Sequence, residues 1–350
     1  MAFISFQPHD HFDCPTWTGS DSTTTINNMA FKPDMIWIKN YSGTGHPVLN
    51  DSTKGIGFNW IPSGNNANDT TNYVASYTAD GFTLTGNIAN SNDASDRYVG
   101  ACWKANGATT ASNTTGSINS TVQANTTSGV SVVTWTGTGA NGTIGHGLGI
   151  APKLLLVKST GLSDRGIMGD FGTTFIADPQ TDGIQFAYGA AQLQDYATFW
   201  NDTLPTTSVF SVGSDAKTNP SNGVMVGYAF AEVKGFSKFG YYSGTGSVAG
   251  TKVYCGFKPK WILIKSTTTG DDWGARSTVT TGFGVGGQRT RNMVFNSSGS
   301  QTSANVQFES NGFRLASTST GNNQQNTKYI YMAFAEMPMV GSNGIIALAL

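Results

Sequence analysis

The sequence predicts an all-β fold of three tandem antiparallel β-sandwich modules, jelly-roll-like in type. The first observation is a nine-residue stretch, Phe31-Lys32-Pro33-Asp34-Met35-Ile36-Trp37-Ile38-Lys39, that returns twice. Its copies are Ile150-Ala151-Pro152-Lys153-Leu154-Leu155-Leu156-Val157-Lys158 and Phe257-Lys258-Pro259-Lys260-Trp261-Ile262-Leu263-Ile264-Lys265. In each, a Pro that cannot donate to a ladder precedes an apolar run ending at Lys, which reads as a buried strand with a fixed entrance and exit. The second is spacing: 119 residues from Pro33 to Pro152 and 107 from Pro152 to Pro259, the size of a small domain rather than of a solenoid repeat. The third is composition, with 12 % charged residues, 44 Gly and 11 % aromatics. So little charge argues against long surface helices, and so many rings argue against disorder.

Taken in order, residues 1–14 form an N-terminal docking arm with a period-2 hint in Phe3-Ile4-Ser5-Phe6. Module 1 spans 15–105, from Trp17-Thr18-Gly19 through the Trp37 strand and Gly81-Phe82-Thr83-Leu84 to Tyr98–Lys104. Residues 106–128, rich in Ser, Thr, Asn and Gly, read as a linker. Module 2 spans 129–235, with Trp135-Thr136-Gly137, Val209-Phe210-Ser211-Val212 and Val226–Glu232 at the same stations. Module 3 spans 236–338, with Tyr242-Ser243-Gly244, Gly312-Phe313-Arg314-Leu315 and Ile330–Glu336. The opening aromatic lies 16, 17 and 17 residues before the Pro, and the later Phe 21, 20 and 21 residues before Trp103, Phe230 and Phe334. Chance would not hold four anchors in register. The short Val233-Lys234-Gly235-Phe236 joint predicts that modules 2 and 3 pack rigidly while the first moves more freely. Residues 339–350 form an apolar tail, and Ile345, Ile346, Leu348 and Leu350 with Phe3, Ile4 and Phe6 of the arm are its docking residues, on another module or another chain.

Several function classes fall away. Lys plus Arg (20) nearly balances Asp plus Glu (21) without a basic run, so nucleic acid is not an expected partner. Neither a basic, apolar leader nor a run long enough to span a bilayer is seen, so a membrane is not expected either. Cys14, Cys102 and Cys255 are far apart and read as free packing thiols of a protein made in a reducing cytoplasm. Asn-x-Ser/Thr triplets such as Asn113-Thr114-Thr115 carry no meaning without secretion.

Candidate chemistry is sparse. His9-Asp10-His11-Phe12-Asp13-Cys14 would place His9, His11 and Asp13 on one face of a strand, as a metal site requires, but a polar turn is the better reading, and neither metal nor cofactor is expected. His46 and His146 lack a nucleophile setting, and Asp271-Asp272 or Asp164 with Asp170 lie in variable loops; no catalytic residue is assigned and no enzyme expected. Gly282–Gly287 is not followed by a helix and reads as a loop tip rather than a phosphate cradle. The better lead is Trp60, Trp200 and Trp273 in Asn/Asp/Gly-rich surroundings, since flat rings on loops stack on sugars or bind partners. The plainer reading is that each caps its module's core.

The repeated signature resembles an uncharacterised modular family of marine-bacteriophage virion structural proteins, tail-fibre-like or decoration-like. Met1–Pro8 is similar to its opening, Gly145-His146-Gly147-Leu148-Gly149 to its mid-chain motif and Tyr329–Glu336 to its closing strand; Ile345–Leu350 departs from a more polar finish. The resemblance brings no catalytic residues. It implies a non-enzymatic virion protein assembled in the host cytoplasm, homo-oligomeric, contacting other capsid or tail proteins as a capsid decoration or short appendage. The competing implication is a receptor-binding adhesin reading host-surface glycans through variable loops.

Overall fold

The computed structural model describes residues 4–64, 66–163, 166–171, 178, 180, 182–186, 193–280, 288–299, 302–336, 339–341 and 346–347. The protein is nearly all β and antiparallel; among the described residues one α-helix, Ala197–Trp200, and one 3-10 turn, Pro8–Asp10, interrupt the strands. No described helix is long and apolar enough to cross a membrane.

Each copy of the repeat builds one large sheet around the same three strands. The Pro-led strands are Met35–Asn40, Leu154–Ser159 and Pro259–Ser266. Beside them run the closing strands Arg97–Trp103, Val224–Phe230 and Lys328–Ala335, and beyond those the opening strands Thr16–Thr18, Val130–Thr136 and Ser237–Ser243. The register is shared, because Lys39, Lys158 and Lys265 lie opposite Val99, Val226 and Ile330.

Alternation along these strands decides what each side chain buries. Ile36 and Ile38, Leu155 and Val157, Ile262 and Ile264 face the core of their own sandwich. Its second layer is the strand Gly81–Leu84, Val209–Val212 or Gly312–Leu315, and there Phe82, Phe210 and Phe313 meet Trp17, Trp135 and Tyr242 edge to face at 5.7, 5.6 and 6.3 Å. The alternate set, Met35 and Trp37, Leu154 and Leu156, Trp261 and Leu263, faces inward to a fourth core shared by all three sheets, the largest of the four. Runs buried on both faces therefore read as continuous apolar sequence.

Within that shared core the three closing aromatics touch. Trp103 lies 6.0 Å from Phe230 and 5.4 Å from Phe334, and Phe230 lies 6.1 Å from Phe334. Pairs at this spacing contribute roughly 0.5–1.5 kcal/mol each beyond their burial.

Two expectations about organisation change. The stretch 106–128 is not a loose linker: Ala111–Asn113 and Ser120–Asn125 add two strands to the second sheet. Its Gln123 donates to Ser52 and Thr53 and accepts from the backbone of Asn106 and Ala108, which seals the first repeat to the second. Nor is the first repeat set apart, since Trp37 packs on Phe186 and Phe295, and Tyr228 Oη donates to buried Asp51 at 2.7 Å.

Candidate functional site

The body has two unlike ends, and the Pro-led strands define them. At their far end the three Lys side chains are buried, exposed by 0, 2 and 0 %. A buried ammonium needs acceptors, and each finds main-chain carbonyls of the loop that follows it. Lys39 Nζ donates to Gly45 O at 2.9 Å, Lys158 Nζ to Leu162 O at 2.9 Å, and Lys265 Nζ to Thr269 O at 3.0 Å and Asp271 O at 2.6 Å. Lys39 also reaches the third repeat, donating to Ser297 O at 2.9 Å and Gly299 O at 3.0 Å. Burial pushes Lys39 and Lys265 down to about 8. The variable loops thus start from a common internal anchor.

A second anchor escaped the sequence reading. Asn92, Asn219 and Asn323 are fully buried, six residues before Tyr98, Met225 and Tyr329. Each clamps the turn after the opening strand to the end of the later strand: Asn219 Nδ2 donates to Ala140 O at 2.6 Å and Gly213 O at 3.1 Å, while its Oδ1 accepts from Thr138 N at 3.0 Å. Asn92 and Asn323 repeat the pattern. The turn passes so close that a Cβ on Gly19, Gly137 or Gly244 would meet a carbonyl at 1.9, 2.2 or 2.1 Å, which explains the Gly of the opening motif. Six-residue spacing to the closing strand was the signal available for these Asn residues.

The opposite end gathers the first and last described strands. The arm strand Ile4–Phe6 pairs antiparallel with Met339–Gly341, which pairs in turn with Ile346–Ala347. Phe6 stacks on His11 at 4.9 Å and meets Phe236 edge-on at 5.2 Å. Asp13 forms an ion pair with Lys260 of the third repeat. Of the docking residues, Ile4 and Ile346 therefore lie in the small terminal sheet and Phe6 against the shared core, while Phe3, Ile345, Leu348 and Leu350 lie outside the described residues.

The three tryptophans require correction. Trp60, Trp200 and Trp273 are exposed by only 1, 0 and 1 %. Trp273 stacks on Phe186 at 4.2 Å, Trp60 meets the same ring at 5.4 Å, and Trp200 Nε1 donates to Asp182 O at 3.0 Å. Their polar neighbours misled because they work inward: Asn296 Oδ1 accepts from Trp273 N at 2.9 Å and Asn59 Nδ2 donates to Thr71 O at 2.7 Å. Ring contact with a ligand is closed to all three.

The acidic and histidine candidates hold structure together. His9 and His11 do not share a strand face, because Pro8–Asp10 is a 3-10 turn; His9 contacts Asp10 at 3.2 Å and His11 lies between Phe6 and Phe236. His146 is fully buried, with Nε2 3.2 Å from Thr206 O and Nδ1 accepting from Leu148 N. Asp271 accepts from Thr320 Oγ1 at 2.9 Å, and Asp272 from Asn296 Nδ2 at 3.1 Å. Asp164 and residues 282–287 lie outside the described residues. Among the described residues no three His, Cys, Asp or Glu side chains gather as a metal site. All three cysteines are free and buried, and burial pushes the Cys255 thiol up to about 12.

Against known families, a model described as "Domain of unknown function (DUF7483)" matches residues 7–338. The chain belongs to the DUF7483 family. The DUF7483 match takes in all three repeats and stops short of both the Ile4–Phe6 arm strand and the Met339–Gly341 strand it pairs with. No curated protein matches the chain.

Proposed function

We propose that the chain is a non-enzymatic structural protein of a bacteriophage particle, set on the particle surface as a capsid decoration or short appendage and partnered by other virion proteins and copies of itself. The observation that carries this reading is the polarity of the body. Its first and last described strands pair with each other at one end, beside the arm's contacts with the third repeat. The divergent loops leave from the lysine anchors at the other. A rigid block with one fastening end and one variable end suits a piece added to a larger surface. The resemblance of the repeated signature to phage virion proteins points the same way. The adhesin alternative loses its proposed ring contacts with the burial of Trp60, Trp200 and Trp273.

Purified particles probed by an antibody to this chain, with copy number from quantitative mass spectrometry, test the reading. Many copies over the capsid, or a few at the tail, are the expected results. Particles that lack the chain would sink it.

A further inference from the structure

The two strands that the second repeat adds to its sheet create a surface with no counterpart in the other repeats among the described residues. Along Val130–Thr136, Val133 and Trp135 face the sandwich core while Val130 and Val132 face the shared core. Thr134 and Thr136 continue that second face beyond the end of the core, into solvent. On the neighbouring strand Thr121 follows the same face as Gln123, whose amide holds Ser52 and Thr53 of the first repeat. The first repeat's loop therefore stands at the inner end of this surface, and a groove of about 250 Å³ opens outward from it.

The groove has an ordered lining. Ser112 pairs in register with Thr121 and Thr121 with Thr134, which sets three hydroxyls in a row across three strands. One step along, Asn119 and Thr136 continue to Val224, which is 52 % exposed. Side chains paired this way stand about 5 Å apart. The four hydroxyls and the Asn119 amide make no side-chain hydrogen bond among the described residues, so their donors and acceptors face the groove uncommitted. Among the described residues no charged side chain lines it.

We propose that this groove is a binding site for a neutral saccharide, with the Ser112–Thr121–Thr134 and Asn119–Thr136 rows reading ring hydroxyls and Val224 receiving a C–H face. Hydroxyls and a carboxamide both donate and accept, as a sugar's hydroxyls do, whereas an ionic ligand would find no counter-charge. The volume falls just below the roughly 300 Å³ at which pockets for drug-sized ligands begin, which suits one sugar unit rather than a chain. Open, and with the ring of Trp135 among its lining residues only 3 % exposed, the site binds weakly, in the millimolar range expected of a few solvent-facing hydrogen bonds.

The test is titration of the isotope-labelled full chain with glucose, galactose, mannose and N-acetylglucosamine, read by amide chemical shifts. Saturable shifts centred on Thr121, Thr134, Thr136 and Val224 with at least one sugar are expected. Thr121→Val and Thr134→Val, surface changes that leave the fold intact, should each weaken binding tenfold or more with an unchanged melting temperature. Absence of saturable shifts with all four sugars, shifts that persist in the double Val variant, or tighter binding of glucuronate than of glucose would each overturn the proposal. Particle location plays no part in this readout, so the groove and the virion reading stand or fall separately.

Discussion

Lysine is among the side chains least often buried, yet this chain buries three at one structural position. The carbonyls around each ammonium offset part of the desolvation, but burial still lowers Lys39 to about 8. An unfolded lysine releases its proton near 10.4, so between the two values the unfolded chain binds more protons and stability rises with pH. Wild type compared with Lys39→Met should show it. As pH rises from 7.5 to 10, urea unfolding should move by about 2 kcal/mol in favour of wild type relative to the variant. The buried thiols, which respond in the opposite sense, are common to both proteins and cancel. A difference independent of pH would mean that Lys39 keeps its proton throughout. In the sequence these residues were visible as strand ends. Their burial was not, because it depends on loops that fold back from positions as distant as Ser297 and Gly299.

At the scale of elements, the strands that the repeat marks were legible because each buries both faces and leaves an unbroken apolar run. The pair at Ala111–Asn113 and Ser120–Asn125 was not, since only Val122 and Ala124 face a core while Thr121, Gln123 and Asn125 face solvent or the first repeat. Its composition is that of a linker although its geometry is a ladder. The misplacement also hid the groove, which exists only because those strands form. The arm was visible as a strand, but the fixing of His11 was not. Burial first, and then Lys104, lowers its imidazole to about 4, with Asp10 acting against them. An unfolded histidine charges near 6.5, so the contribution of this contact is complete above 6.5 and is lost as pH falls toward 4. Between pH 6.5 and 4.5 wild type should lose roughly 1–2 kcal/mol more stability than His11→Phe, a figure reduced for the partly exposed ring. Equal losses in the two proteins would show that the arm's seat does not depend on a neutral His11.

For the whole molecule, the repeat predicts three sandwiches, and the sheets and their private cores follow its anchors. What pattern could not supply was the fourth core. An apolar run buried on both faces looks the same whether its second face meets a loop, a copy or another repeat. The consequence is cooperative. Residues 129–235 produced alone would expose Val132, Leu154, Leu156, Val226, Tyr228 and Phe230 to water. That segment should bind a hydrophobic dye and melt broadly, while the full chain melts in one sharp calorimetric transition. A sharp transition in the isolated segment, close to that of the full chain, would contradict an interdependent core.

The aromatic trio in the shared core has a further consequence for valency. Three separate subunits meeting at such a point would come apart on dilution and would be bound to repeat every device three times. Here Trp103, Phe230 and Phe334 are tethered on one backbone, so they face one another at an effective concentration that dilution cannot change. Freed from strict symmetry, the three repeats differ among the described residues: the second alone adds the strands Ala111–Asn113 and Ser120–Asn125 to its edge, beside its opening strand Val130–Thr136. One backbone can therefore vary one repeat while the shared core keeps the other two in place.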